Sequence, residues 1–408
     1  MIAKLKSKIF FLSLLSMSIA FTGCEDDEVG PNPPPPGPPT ANSNILSGNI
    51  DKKTVLKNHA NGVDYEICSY INVNAELIIE PGVEIMMCPN ARISVGQNGS
   101  LHAVGTSGSP ITIRGKVSTP GYWEFIEINS NNPANVLDYV IIADGGGRSS
   151  YDHASIWVND NNTGQLTVKN STVRNSKGYG IVVENGADLP NFSNNTFSNN
   201  GGAPAYIPFS IIGAMDEASN FADGNYDNHV SIFGTSMNKP QTVNKLNVPY
   251  YVSGKTTLNE ALKLNPGVDF LMGPGAYIYV NSSGSFNAIG TAAEKISITG
   301  KIKTVGYWEY IEINSNNPLN KFRNVTISHG GGRSSYQYST IWVNDNNNGT
   351  FDMSGCSLTD SYGYGVYVER GASMSPSSAA AVEAANTFSN NGAGSNANCG
   401  SNCNVYFP

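Results

Sequence analysis

Charge is what this sequence has least of. Asp, Glu, Lys and Arg make up 14% of its 408 residues, against about a quarter in soluble domains. Exposed helix faces are built from Glu, Lys and Ala, so a mainly helical protein is excluded. The balance is acidic, with 32 acidic against 24 basic residues and a formal charge of −8, and no long basic run occurs beyond the first few residues. Phosphate backbones are bound through clustered Lys and Arg, so no nucleic-acid partner is expected. Apolar residues amount to 39%, too few for a multi-span membrane protein, and the run from Ile9 to Ala20, at about 12 residues, is short of the roughly 20 that span a bilayer. Histidines number 5 and are scattered. No metal site and no cofactor is expected from so thin a ligand set. What the chain has in quantity is Gly, 43 residues, and Asn, 51 residues. Both tolerate the left-handed backbone of tight corners, so a chain of short strands and many turns is expected.

The first residues follow the three-part layout of an export signal: Lys4, Lys6 and Lys8, an apolar run, then Phe21-Thr22-Gly23-Cys24. A small residue directly before Cys24 resembles the lipobox of bacterial lipoproteins, with Phe21 in place of the commoner Leu. That resemblance implies cleavage after residue 23 and lipid on Cys24. The acidic cluster Glu25-Asp26-Asp27-Glu28 resembles the tag that carries some lipoproteins to the outer face of the outer membrane. Seven prolines in the nine residues Pro31 to Pro39 make a stiff, extended stalk. The expected organisation is a signal peptide over 1–23, an acidic and proline-rich tether over 24–43, and one continuous body over 44–408.

That body repeats itself at a constant offset of 185 residues. Gly121 to Pro133 (GYWEFIEINSNNP) returns as Gly306 to Pro318 with one change, and GGGRSSY recurs identically at Gly145 to Tyr151 and Gly330 to Tyr336. The register holds to Gly186 and Gly371, after which the second copy gains six residues. The first copy covers about 44–236 and the second about 237–408. No Pro- or Ser-rich linker separates them, which favours a solenoid over two domains. Within each copy, β-branched runs such as Ile126-Glu127-Ile128, Ile156-Trp157-Val158 and Ile181-Val182-Val183 alternate with Gly and Asn corners. Each is read as a strand with alternate residues turned inward. Asn-rich segments suit corners where stacked amides hydrogen-bond along the axis.

With its PGV, GYWE-IEI, GYGI and NTFSNNG segments, the chain resembles the right-handed parallel β-helix superfamily, the pectate-lyase-like fold. The resemblance implies an all-β solenoid built here by duplication. It implies no single activity, because that scaffold hosts lyases, hydrolases, adhesins and spacers.

If Ile126 and Ile128 point inward, Phe125, Glu127 and Asn129 point outward. By the same rule Trp157 and Asn159, then Val182 and Glu184, follow on the next rungs. The second copy repeats the set as Tyr310, Glu312 and Asn314, Trp342 and Asn344, and Tyr367 and Glu369, expected on the same face. A Trp on a solvent-facing sheet is an apolar plate that soluble proteins usually avoid unless something binds there, and carboxylates beside aromatic rings stack on and hydrogen-bond sugars. Phe125, Glu127, Trp157, Glu184, Tyr310, Glu312, Trp342, Tyr367 and Glu369 are therefore the candidate ligand-binding residues. The competing expectation is that these aromatics pack beneath a neighbouring loop.

Catalytic residues are not assigned. Glycosidases need two carboxyls about 5 to 9.5 Å apart, and strand geometry puts the backbones of Glu127 and Glu184 about 10 Å apart or more. Asp144, Arg148, Asp152 and His153 form the best local acid and base group, but Gln337 and Tyr338 replace the last two in the second copy. The plainer reading is a Gly-rich loop tied down by Arg148 and Arg333. Asp160 and Asp345 read as turn residues.

Beyond Cys24 the cysteines are Cys68, Cys88, Cys356, Cys399 and Cys403. Export permits disulfides, and Cys68 with Cys88, one rung apart, and Cys399 with Cys403 are the expected pairs. Cys356 stands where the first copy has Ser171 and is expected to be a buried thiol. The leading expectation is an outer-membrane lipoprotein facing the cell exterior, binding a polysaccharide or a surface protein without catalysis. The rivals are a polysaccharide lyase or glycoside hydrolase of the same fold, and a structural spacer.

Overall fold

The structure, a computed structural model, describes residues 44–59, 62–400 and 402–408. The export signal, Cys24 and the proline run lie outside the described residues. Those described belong to one compact unit, Pro38–Pro408, in which no helix is long and apolar enough to cross a membrane.

Strands of two to five residues wind into a coil whose rungs are three-sided, and every pairing between them is parallel. The sequence dictates this through its alternation. Ile93, Ile126, Ile156, Ile181 and Ala205 stand in register on successive rungs and are all fully buried. Each such Ile removes enough apolar surface from water to contribute roughly 1.5–3 kcal/mol, and a polar residue in the column would break it. Corners are held by Asn. The Asn195 side chain accepts from the Ser171 N–H at 3.0 Å and donates to the Val168 carbonyl at 2.9 Å, satisfying backbone groups that leave the ladder where the chain turns. Asn386 does the same for the Cys356 N–H, at 2.9 Å. Outside the rungs, Asn238, Asn259 and Asn281 pass one hydrogen bond to the next along the axis.

The two copies do not share faces. In the first, the sides of each rung lie in sheets of eight, thirteen and six strands. The thirteen-stranded sheet then runs on through the second copy, but there it is made from strands equivalent to those of the eight-stranded one: Glu84–Met87 corresponds to Asp269–Met272, and Val140–Ala143 to Val325–Ser328. The 3-10 segment Phe209–Ala214 takes the place of one strand. Counting sides, the 185-residue offset spans seven turns and one further side, so the second copy is turned by one side of the rung. This corrects the expectation that Glu127, Glu184, Glu312 and Glu369 occupy one face. The first two lie along the thirteen-stranded sheet and the others along a seven-stranded one.

Cys68–Cys88 and Cys399–Cys403 are disulfides. Cys356 is a buried free thiol, its Sγ bonded to the Ser354 carbonyl at 3.4 Å, and burial pushes its pKa up to about 11. The stretch where the second copy gains residues holds the short helix Ala379–Ala385, capped by Ser378 and anchored by fully buried Val382.

Candidate functional site

The outward column of the first copy runs Ser94, Glu127, Trp157, Val182, Tyr206. In the second it runs Tyr279, Glu312, Trp342, Tyr367, Tyr406. Over each column bends the GGGRSSY loop. Its base is fixed by Trp123, fully buried, whose indole N–H donates to the Ala143 carbonyl at 2.7 Å; Trp308 does the same to Ser328 at 2.8 Å. Gly146 has a φ of +89°, and a Cβ there would strike the His153 carbonyl, so only Gly fits. Arg148 ties the loop down by donating to Ser150 Oγ at 3.0 Å and pairing with Glu124 at 3.4 Å. Arg333 repeats this with Ser335 and Glu309, both at 3.1 Å.

The turn Ser149–Tyr151 then lays Tyr151 on Phe125, with ring centroids 4.3 Å apart, and against Trp157 at 4.9 Å. Tyr336 covers Tyr310 at 4.4 Å and Trp342 at 4.0 Å. Among the described residues the candidate aromatics therefore do not form one open strip: Phe125, Tyr310 and Trp157 are covered, while Trp342 and Tyr367 stay partly exposed. Phe125 is 1% exposed, Tyr310 3% and Trp157 8%, and Trp157, Val182 and Ala154 form a small second core outside the sheet. The side chains face outward as the alternation requires, but the loop provides their cover.

What remains open is one cleft beside each Trp, on opposite sides. The first has a volume of about 310 Å³, with Trp157, Tyr206 and Phe233 as its aromatic lining and Asp152, Asp160 and Glu184 as its acids. Glu184 Oε2 accepts the Asp160 N–H at 3.0 Å. Burial first, and the neighbouring Asp160 charge next among the effects that raise it, hold the Glu184 carboxyl above the usual range. The Trp157 N–H is turned toward Glu184 and weakly favours its charge, yet it is buried and completes no hydrogen bond. The second cleft, about 370 Å³, is lined by Tyr277, Tyr279, Tyr310, Tyr336, Trp342 and Glu312. Glu312 is 5% exposed, and burial pushes its pKa up to about 7 against the opposing 2.8 Å hydrogen bond from Asn344.

The remaining candidates have structural partners. Glu127 accepts from Ser94 at 2.6 Å and Asn159 at 3.0 Å, outside the first cleft. Tyr367 stacks on Tyr406 at 4.6 Å, and Glu369 accepts the Asp345 N–H at 2.9 Å. Asp144 is buried and bonded to Ser118 and Asn175, and His153 Nδ1 meets the Gly146 carbonyl at 2.9 Å, so that group builds the loop. A larger hollow, about 570 Å³, is lined by the paired Lys245 and Glu294 and contains no aromatic residue. Glu66, Cys68 and Cys88 lie close enough to hold a metal, but both thiols are in the disulfide and Glu66 pairs with Lys116 at 3.1 Å. Sequence reasoning missed Tyr206, Phe233 and Asp152 as cleft residues and treated Asp160 as a corner. The signal available for Asp160 was its place directly after outward Asn159, at the corner that ends the Trp157 strand.

Curated proteins and solved structures yield no match to this chain. The family model described as right handed beta helix region matches residues 154–241, the segment carrying Trp157, Glu184 and Tyr206. With its parallel sheets wound three to a rung, the chain is a right-handed parallel β-helix of the general pectate-lyase-like architecture.

Proposed function

We propose that this protein is a non-catalytic carbohydrate-binding β-helix, held by lipid on Cys24 at the outer membrane and facing the cell exterior. The observation that carries the reading is the pair of outward clefts, each with an aromatic lining and at least one carboxylate. Aromatic faces take the apolar side of a sugar ring, and carboxylates and amides take its hydroxyls. Their volumes fall at the lower end of the range of small-ligand sites. A glycan array followed by calorimetry tests it. The parent should bind a glycan, and the Trp157→Ala, Trp342→Ala double variant should lose about tenfold or more in affinity; unchanged affinity sinks the proposal. Anchoring is tested by fatty-acid labelling, which Cys24→Ser should abolish.

A hydrolytic reading has one observation behind it. Glu312 is a buried carboxyl with a pKa near 7, suited to a general acid. It requires release of reducing ends from a bound glycan, lost in Glu312→Gln; binding without turnover leaves the non-catalytic reading in place.

A further inference from the structure

Glu127 and Glu312 hold the same place in the two copies, yet only one of them has both carboxylate oxygens satisfied. In the first copy Ser94 Oγ donates to Glu127 Oε2 at 2.6 Å and Asn159 to Oε1 at 3.0 Å. The second copy keeps the amide, with Asn344 donating to Glu312 Oε1 at 2.8 Å, but has Tyr279 in the place of Ser94. The Tyr279 hydroxyl is engaged elsewhere, accepting from Asn314 Nδ2 at 2.6 Å. Glu312 Oε2 is thus left with no donor among the described residues, on a side chain that is 5% exposed and lines the cleft beside Trp342. A buried acceptor without a donor is costly, the more so when charged, and a donor carried in by a ligand relieves that cost. The same exchange builds the walls. Tyr277 replaces Arg92, and with Tyr279, Tyr310, Tyr336 and Trp342 it surrounds Glu312 with rings, while no Lys or Arg among the described residues lines the space.

Resting on the carbohydrate-binding reading, we infer that the cleft beside Trp342 takes a neutral sugar residue, one of whose hydroxyls donates to Glu312 Oε2. The rings take the apolar C–H face of the sugar, and the hydroxyl supplies the donor that Ser94 supplies in the first copy. A uronic acid is disfavoured, because its carboxylate meets Glu312 with no cation in the lining to offset the repulsion. Recognition is tied to pH. Burial pushes the Glu312 carboxyl up to about 7, and a hydroxyl donates more strongly to the ionised form, so binding displaces a proton and affinity rises with pH through that value. The charged and titratable groups facing Glu312 are Arg333 and Tyr336 from the loop, Tyr277 and Tyr279 from the preceding rung, Tyr310 beside it, and Glu369 from the rung beyond Trp342. Arg333 is committed to Glu309, and burial pushes the phenols of Tyr277 and Tyr310 up, away from this window. Glu369 is itself held above the usual carboxylate range, by burial first, and needs a control of its own.

Calorimetry on the full-length protein tests the inference, with cellotetraose, mannotetraose and galactotetraose as neutral probes and tetragalacturonate and tetramethylammonium as charged ones. At pH 8 at least one neutral tetramer should bind about tenfold tighter than either charged probe, and its affinity should fall by about fivefold to tenfold at about pH 5.5. Glu312→Gln should weaken that binding by about tenfold at pH 8 and abolish its pH dependence, whereas Glu369→Gln should retain the dependence. Tyr279→Ser, which restores the first copy's donor to the free oxygen, should weaken it by about fivefold or more. Cooperative melting at the parent's temperature or above shows that the variants remain folded. Affinity that is level between the two pH values, that is unchanged in Glu312→Gln, or that loses its pH dependence in Glu369→Gln overturns the inference. So does tetragalacturonate or tetramethylammonium bound as tightly as the sugar at pH 8. A neutral tetramer held at Trp157, lost in Trp157→Ala and intact in Trp342→Ala, overturns this inference and leaves the carbohydrate reading standing, as does a glycan array that yields only charged ligands. No glycan bound by the parent sinks both.

Discussion

In the first copy the outward column leading to Trp157 passes Arg92 and Ser94; at the same places the second copy has Tyr277 and Tyr279. Arg92 pairs with Glu124 at 3.0 Å and lies over the Tyr70 ring at 3.7 Å, and Ser94 donates to Glu127. Arg92, ion-paired and laid over a ring, and Ser94, hydrogen-bonded to Glu127, leave no cleft on that side of Trp157 among its lining residues. One rung beyond Trp157, Val182 is small enough to leave a gap, and the cleft opens there. In the second copy Tyr367 fills that gap, while Tyr277 stacks on Tyr310 at 5.0 Å and the opening moves to the other side of Trp342. The same loop, Trp and Glu thus yield two different clefts, through three outward positions that cost the inward core nothing. They also face different ways, because the copies are turned by one side of the rung.

The comparison assumes that both loops stand on equivalent supports, and the buried Trp residues test that assumption with the largest effect. Trp123→Ala and Trp308→Ala each remove a fully buried indole and leave a backbone carbonyl without its 2.7 or 2.8 Å partner. Each should cost about 3–5 kcal/mol in denaturant unfolding. Losses differing by more than about 2 kcal/mol would show that the loops are anchored differently and break the comparison.

Exchanging the gap residue sharpens it. Val182→Tyr should close the first cleft and reduce affinity for any ligand held there by about tenfold, or 1.4 kcal/mol. Because Val182 is buried in the small outer core with Trp157 and Ala154, the larger ring should also cost about 1–3 kcal/mol of stability. Tyr367→Val should open an equivalent space beside Trp342, visible as ligand binding that survives in a Val182→Tyr background.

Strands, corners and duplication were legible in the sequence because each depends on local chemistry. An alternating Ile-x-Ile run can bury only one face, and Asn195 or Asn386 can cap a corner whichever way the rung points. The disulfide partners were legible from one-rung spacing and from a short closing loop. The face occupied by the second copy was not, since an offset of 185 residues does not reveal how many sides it contains when a segment such as Phe209–Ala214 replaces a strand. Nor was the cover over the aromatics. Arg148 and Arg333 were readable as loop ties, but the placement of Tyr151 on Phe125 depends on the left-handed turn at Gly146 and Asp152. Tyr206 and Phe233 reach the cleft from later rungs and have no sequence neighbour there.

Glu312 gives the comparison a pH signature. Burial raises its carboxyl to about 7, above the roughly 4.3 of a carboxyl in the unfolded chain. Between those values the native state keeps a proton that the unfolded state has released, so stability falls as pH rises through the window. Above pH 7 the whole cost is present; below about pH 4 it is absent. Glu312→Gln should therefore be more stable than the parent at pH 8, by about 1–2 kcal/mol after allowance for solvent screening, and close to it at pH 4. Tyr279→Ser, which restores the residue that donates to Glu127 in the first copy, should flatten the parent's slope. Curves for parent and Glu312→Gln that run parallel from pH 4 to 8 would show that the Tyr-lined cleft does not raise the proton affinity of Glu312.

The smallest effect separates the copies by the company their loop ties keep. Glu124 is paired with both Arg92, at 3.0 Å, and Arg148, at 3.4 Å, whereas Glu309 is paired with Arg333 alone among the described residues. Both loop arginines are 40% exposed along the side chain, so solvent screens each pair and its loss is worth about 1 kcal/mol at most. Arg148→Ala leaves Glu124 with a nearer cation and should cost about 0.3 kcal/mol. Arg333→Ala leaves Glu309 without a cation and should cost nearer 1 kcal/mol, a difference that raised salt should shrink. Since Tyr336 follows Arg333 by three residues and covers Trp342, the same variant should raise Trp342 accessibility to a fluorescence quencher more than Arg148→Ala does for Trp157. Equal losses and equal quenching would mean that Arg92 contributes nothing to the first loop and that the outward positions shape the clefts alone.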